Sequence, residues 1–295
     1  MTIPSYLSQN YPFENHYWKT LDGHRYHYVD EGPKDTNPII MVHGNPTWSF
    51  FYRNLIKELS KSRRVIAVDH IGCGLSEKPQ DFDYTLENHI KNLDGLLSAL
   101  FQSRKDQRSF LDLIVHDWGG AIGMGFATRH PDWIRKSVIM NTAAFTDIHI
   151  PKRIGVCKLP YIGEKLVRHF NAFAWPATFM AVKKPMANDI KKSYLFPYNN
   201  YKNRIATARF VKDIPMNQDH PTWNTLKEVE NNLSKITGPK LLLWGERDFC
   251  FSPHFLKRWQ QIFPENTSIM LKEAGHYLLE DEPEKTQMYI TEFLQ

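Results

Sequence analysis

The segment Leu113-Ile114-Val115-His116-Asp117-Trp118-Gly119-Gly120 constrains the fold of this chain more than any other. An apolar run passes without a spacer into one acidic residue, and small residues follow at once. Such a pattern predicts a buried strand that turns sharply into a helix and projects the turn residue at the strand's carboxyl end. Gly119 and Gly120 supply the small side chains that so cramped a turn needs on its helix side. Val115 stands where a glycine is commoner, a mild departure. Read in isolation, Asp117 could instead be an ordinary cap for the helix that follows.

The remainder of the chain favours the turn. From about residue 24, strand-like and helix-like segments alternate: strands at 24–30, 38–43, 64–69, 111–116 and 137–141, helices at 49–59, 86–100 and 119–129. The helix at 86–100 shows its period through Leu86, Ile90, Leu93, Leu96, Leu97 and Leu100. The run Ile39-Ile40-Met41-Val42 is apolar throughout, as a strand buried on both faces must be. The rhythm breaks between 145 and 225, where helical segments, aromatics and prolines replace strands, and resumes with a strand at 240–244, a helix at 253–263, a strand at 268–271 and a helix at 283–294. Alternation of this kind predicts an α/β fold with a mostly parallel central sheet covered by helices on both faces. The chain therefore divides into a core, residues 1–144 and 226–295, and a helical cap, residues 145–225, lying over the carboxyl edge where open α/β sheets bind ligands.

Composition removes several classes of function. The 295 residues are 42% hydrophobic, enough for a large core. Lys and Arg exceed Asp and Glu by 37 to 32, but the cations are scattered rather than gathered on one face, so no nucleic-acid partner is expected. The stretch 151–168 mixes basic and apolar residues, a combination compatible with attraction to a membrane surface. No run of 18 apolar residues exists, so no transmembrane segment is expected. Cys73, Cys157 and Cys250 are odd in number and far apart, which suits neither a disulfide framework nor a metal site. No metal and no cofactor is expected: His, Cys and carboxylates show no ligand spacing, and Gly72 and Gly74 lack the context of a nucleotide loop. Residues 1–18 hold no apolar run of the secretory kind, and a cytoplasmic location is the expectation.

The turn residue decides the chemistry. A carboxylate attacks saturated or strained carbon and becomes an ester of the protein, whose carbonyl then offers a target for activated water. Alkyl halides, epoxides and strained lactones are the matching substrates. The loop His43-Gly44-Asn45-Pro46-Thr47-Trp48, between a buried strand and a helix, suits an anion pocket: a backbone N–H from the loop, one from Trp118, and side-chain donors from Asn45 and Trp118. Asn45 alone reads equally as a turn residue before Pro46. His276, in Ala274-Gly275-His276-Tyr277 after the last strand, is placed to act as base. Asp248, after the strand ending Trp244-Gly245, is the acid to orient it, with Glu246 as the alternative; Asn141, at the other strand end where an acid could sit, supplies no charge. His43 and His116 read as structural, and His130, His220 and His254 as surface or helix-start residues.

Together, His43-Gly44-Asn45-Pro46-Thr47, Asp69-His70-Ile71-Gly72-Cys73-Gly74-Leu75-Ser76, His116-Asp117-Trp118-Gly119-Gly120 and Gly275-His276 resemble the haloalkane dehalogenase family, of the α/β-hydrolase fold, over nearly the whole chain. That resemblance implies Asp117 as nucleophile, His276 as base, Asp248 as acid, and Asn45 with Trp118 as the halide-holding pair. The arrangement is similar to the third subfamily, for which large homo-oligomers and weak activity on standard haloalkanes are implied. The stretches 141–145, 170–174 and 203–207 also resemble the β-lactone decarboxylases of olefin biosynthesis, which share the Asp, His and Asp constellation. Hydrolytic dehalogenation is the first expectation and lactone decarboxylation the second, with a small apolar haloalkane or strained lactone, and halide ion, as partners. Epoxide hydrolases resemble it less, since Asn45 stands where they carry an aromatic residue, although Tyr161, Tyr194, Tyr198 and Tyr201 offer candidate proton donors. Trp118 argues against fluoroacetate dehalogenases, and the intact constellation against a binding protein without turnover. Phe145, Phe170, Phe173, Trp175 and Phe179 are expected to divide between ordinary core, at least half of them, and the wall of an apolar pocket over Asp117.

Overall fold

The computed structural model of the protein describes residues 4–104 and 107–295. The first three residues of the amino-terminal stretch lie outside the described residues, as do 105 and 106. Strands β1 (His16–Lys19), β2 (Arg25–Glu31), β3 (Ile39–Val42), β4 (Val65–Val68), β5 (Leu111–His116), β6 (Ile134–Met140), β7 (Lys240–Gly245) and β8 (Asn266–Leu271) form one sheet in the order β1-β2-β4-β3-β5-β6-β7-β8. Only β1 with β2 and β2 with β4 pair antiparallel; every pairing from β4 to β8 is parallel. The α/β fold with a mostly parallel sheet expected from the alternation is therefore present. The short β1, with polar His16 and Lys19 flanking Tyr17 and Trp18, escaped the reading because an edge strand needs no apolar run.

Side chains alternate across the sheet, and both faces are covered. Ile40, Val42, Leu113 and Val115 point into one buried cluster, while Ile39, Met41 and Ile114 point into the other. The first cluster packs under α3 (Leu86–Leu100) and α4 (Trp118–Arg129), the second under α1 (Ser5–Asn10), α2 (Arg53–Leu59) and parts of the carboxyl-terminal helices. Strand order reverses between β3 and β5: β4 lies on one side of that pair and β6 on the other. A crevice opens at such a switch point beyond the carboxyl ends of the strands, and the Asn45 loop and Asp117 both sit there.

Between β6 and β7 the chain forms α5 (Lys152–Lys158), α6 (Ile162–Phe170), α7 (Ala174–Met180), α8 (Asn188–Leu195), α9 (Ile205–Lys212) and α10 (Pro221–Asn232). The division drawn at 225 falls inside α10, whose Leu226 and Val229 join the same buried cluster as α3 and α4. After β7 come α11 (Pro253–Ile262), α12 (Leu278–Asp281) and α13 (Pro283–Leu294). No helix of the described residues is long and apolar enough to cross a membrane.

Candidate active site

The turn at Asp117 has φ 52° and ψ −130°, a conformation L-residues rarely adopt, in which the side chain leaves the sheet edge toward the cavity. Its backbone is tied down on both sides: the Asp117 N–H donates to the Asn141 carbonyl at 3.2 Å, and its own carbonyl accepts from the Gly120 N–H at 2.9 Å and from the Thr142 hydroxyl. A Cβ on Gly119 would stand 2.0 Å from the Val42 carbonyl oxygen, which explains the small residue there. Val115 is accommodated because Gly123 leaves a gap on α4; a Cβ there would fall 2.6 Å from Val115 Cγ1. Asp117 occupies the N-cap position of α4, but its carboxylate does not cap the N–H groups beyond Trp118 and turns to the cavity instead.

Three polar groups meet the carboxylate instead. The Asn45 backbone N–H donates to Asp117 Oδ1 at 2.6 Å, the Trp118 N–H also donates to it, and His276 Nε2 lies 3.5 Å from Oδ2. Burial alone would raise this carboxyl; the His276 hydrogen bond and charge, with the Trp118 N–H, outweigh it and hold Asp117 below the ordinary carboxylate value. His276 Nδ1 lies 2.8 Å from Asp248 Oδ2. Burial alone would discharge the imidazole, but Asp248 beside it and the bonds to both carboxylates push it up to about 10. All three groups are buried: Asp117 is 8% exposed, His276 5% and Asp248 5%. Glu246, the alternative acid, is exposed, and does not reach the ring.

Asn141 is the participant that sequence reasoning passed over. Dismissed for lacking charge, it donates from Nδ2 to Asp248 Oδ2 at 2.8 Å and accepts the Gly245 N–H on Oδ1 at 2.7 Å. The signal was its place at the end of β6, next to the end of β7. His116 supports the site as a structural residue: its Nε2 meets the His276 carbonyl at 2.9 Å, and burial with the neighbouring His276 charge takes its pKa down to about 3.

Asn45 and Trp118 both line the cavity. Asn45 Nδ2 donates one proton to the Thr207 carbonyl at 3.2 Å, so its amide is anchored to α9 and keeps one N–H proton uncommitted. Above Asp117 lies a cavity of about 280 Å³, walled by Phe145, Phe173, Met180, Leu226, Phe249 and Phe255 among others. Of the five cap aromatics only Phe145 and Phe173 border it; Phe170, Trp175 and Phe179 are neither core nor pocket wall but exposed on the surface. None of Tyr161, Tyr194, Tyr198 and Tyr201 borders it either, and the Tyr194 hydroxyl is spent on Glu280 at 2.5 Å, so none of these four candidate proton donors faces the cavity.

The expectation that no ligand cluster exists missed one grouping. Asp147, His149 and His254 hold their ligand atoms within 4.8 Å of one another at the cavity's outer edge. His254 is remote in sequence, so no spacing announced it. Each imidazole already bonds the Asp147 carboxylate, at 2.6 and 2.9 Å.

Residues 37–283 match the α/β-hydrolase fold family, and the chain belongs to that family. Within it, the chain is an enzyme relative of two activities. It is 40% identical over 290 residues to a cis-3-alkyl-4-alkyloxetan-2-one decarboxylase of Shewanella oneidensis, covering 96% of this chain and 89% of that one, and 38% identical over 279 residues to its namesake from Xanthomonas campestris, covering 91% of each. It is 31% identical over 301 residues to haloalkane dehalogenase 2 of Mycobacterium tuberculosis, covering 96% of both. Among solved structures, the haloalkane dehalogenase DbeA of Bradyrhizobium elkani superposes with a TM-score of 0.86 at 25% identity, covering 95% of this chain and 97% of that one. DatA of Agrobacterium tumefaciens gives 0.84 at 27%, covering 95% and 96%.

Proposed function

We propose that the site opens a cis-3,4-dialkyl β-lactone with Asp117 and fragments it to a cis-alkene and carbon dioxide. The observation that carries this reading is the Asp117–His276–Asp248 array at the floor of an apolar cavity. The 40% and 38% identities to chains named as oxetanone decarboxylases support reading the lactone before the haloalkane, the reverse of the order the motifs suggested.

In this scheme Asp117 Oδ2 attacks ring carbon C4. The C4–O bond of the ring breaks and its electron pair leaves on the lactone oxygen, now a carboxylate. The intermediate is an ester between Asp117 and C4. The C2–C3 pair then becomes the C3–C4 double bond, carbon dioxide departs, and the ester C–O bond breaks to return Asp117 as carboxylate. Inversion at C4 followed by anti fragmentation keeps the alkyl chains cis. No water and no net proton are consumed. His276 stays protonated throughout, since the substrate's new carboxylate replaces the charge that Asp117 loses, and the imidazolium stabilises it. Asn45 and Trp118 supply the two backbone donors that hold the reacting carboxyl.

Hydrolytic dehalogenation is the second reading, favoured by the dehalogenase relatives and neighbours. There the halide leaves with its electron pair toward Asn45 and Trp118. Esterification removes one of the two negative charges that hold the His276 proton, so the imidazole's pKa falls, that proton leaves to solvent, and the neutral ring can then take a proton from the attacking water. A synthetic cis-3,4-dialkyl oxetanone and 1-bromobutane, each incubated with the protein, separate the readings. Alkene and carbon dioxide are expected from the first; bromide release without any alkene would discard the lactone scheme in favour of dehalogenation.

A further inference from the structure

The apolar residues that fill neither core nor cavity gather on one part of the surface. Nine of the thirteen exposed large hydrophobic side chains among the described residues lie between 148 and 201, far more than that segment's share of the chain. Leu159, Tyr161 and Ile162 crown the junction of α5 and α6, Phe170 ends α6, and Trp175 and Phe179 project from α7. Tyr161 is 89% exposed and Phe170 74%. Tyr161 takes φ 62°, an unfavourable conformation for a bulky residue, and presents its ring to solvent from it.

The same segment is the cationic part of the protein. Residues 145–225 hold 13 Lys and Arg against five Asp and Glu, a net +8, while the whole chain carries +5, so the remainder is net negative. Lys152, Arg153 and Lys165 are exposed on α5 and α6 beside the apolar residues. The cavity opens here too. His149 and Arg153 are its exposed lining residues, and α5 and α7 each turn one side to the cavity, with Ile154 and Cys157 on one and Pro176 and Met180 on the other, and their apolar residues outward.

We propose that this face of the cap docks on an anionic lipid bilayer, the α5–α6 junction and α7 dipping into the headgroup region around the cavity mouth. Exposed aromatic and aliphatic side chains interleaved with lysine and arginine are the chemistry of interfacial binding. A second copy is the poorer occupant, because a two-fold contact sets one net-positive cap segment, with Lys152, Arg153 and Lys165 exposed on it, against another. Docking places the mouth where a lipophilic substrate partitions; that role in delivery rests on the reading proposed above, while lipid binding itself does not.

The test is co-sedimentation of the full chain with vesicles of phosphatidylglycerol and phosphatidylcholine, against vesicles of phosphatidylcholine alone. The protein is expected to pellet with the anionic vesicles and to be released by high salt. Ile162→Glu/Phe170→Glu/Trp175→Glu and Lys152→Glu/Lys165→Glu should each lower the bound fraction by about tenfold or more. None of these five residues borders the cavity, so turnover of a short, water-soluble substrate stays at the wild-type level and certifies the fold. Equal binding to neutral vesicles, undiminished binding by the triple variant, or no binding to either vesicle overturns the proposal. So does an oligomer, seen by sedimentation velocity, that fails to bind vesicles and that the triple variant dissolves. Sedimentation reads lipid without chemistry, so an unreactive lactone leaves this result standing.

Discussion

Asn141 Nδ2 donates to Asp248 Oδ2 at 2.8 Å, and that same oxygen receives the Nδ1–H of His276 at 2.8 Å. With its carbonyl oxygen taking the Gly245 N–H, Asn141 clamps the end of β6 to the end of β7 and fixes the carboxylate that orients the imidazole. In Asn141→Ala a buried carboxylate loses one donor, at a cost of about 1–3 kcal/mol. The expected result is a kcat lowered about tenfold or more with KM nearly unchanged, because the cavity walls do not include Asn141. A loss confined to KM would show that the residue acts on substrate fit instead.

His276→Ala separates the two chemistries. Hydrolysis of an alkyl ester on Asp117 needs a base, whereas the fragmentation of a β-lactone adduct needs no water. With 1-bromobutane the variant should release one bromide per protein and then stop, with the butyl adduct on Asp117 visible in the intact mass. With a cis-β-lactone it should keep turning over, more slowly, and accumulate no adduct. Stalling after one turnover on both substrates would mean that the imidazole enters the lactone reaction directly.

The buried charge trio also sets a pH dependence. His276 is raised from 6.5 to about 10, so the stability it contributes is complete below pH 6.5 and is lost as pH climbs toward 10. Asp117 is lowered, so its contribution is present above the ordinary carboxylate pKa and disappears in acid. His276→Gln cannot bind the proton, and its Tm should fall less steeply than that of the wild type between pH 6.5 and 10. Parallel curves for the two proteins would place the proton elsewhere.

Trp118→Phe keeps the ring and removes the indole donor. A donor that meets a departing anion contributes about 1.5–3 kcal/mol. Bromide release should therefore drop by roughly ten- to a hundredfold. Lactone turnover should suffer less, because its leaving carboxylate stays attached to the substrate and close to His276. Equal losses on both substrates would assign the indole to shaping the cavity it lines.

Much of this architecture could be read from residue order. Buried parallel strands must be apolar throughout, and turns at their carboxyl ends carry little but the residues that react, so Asp117, His276 and Asp248 stood out. What escaped was of two kinds. Asn141 acts through a neighbour in the sheet, and the Asp147, His149 and His254 grouping joins distant segments, so neither leaves a local spacing. The destination of an aromatic side chain is likewise not local: Phe170, Trp175 and Phe179 share helical spacing with core residues yet face solvent.

The mild irregularity at Val115 has a compensating partner, and that pairing can be measured. Val115 fills the space that a side chain at Gly123 would take, since a Cβ there falls 2.6 Å from its Cγ1. Gly123→Ala gains helix propensity of about 1 kcal/mol, but over-packing a well-filled core costs about 1–3 kcal/mol. The single variant should therefore be less stable than the wild type by thermal denaturation. Val115→Ala alone should also lose stability, through the cavity it leaves. The double variant should be more stable than the two losses added together, with a coupling of about 0.5–3 kcal/mol. Strict additivity would show that α4 shifts to absorb the new methyl and that the two residues do not compete for one space.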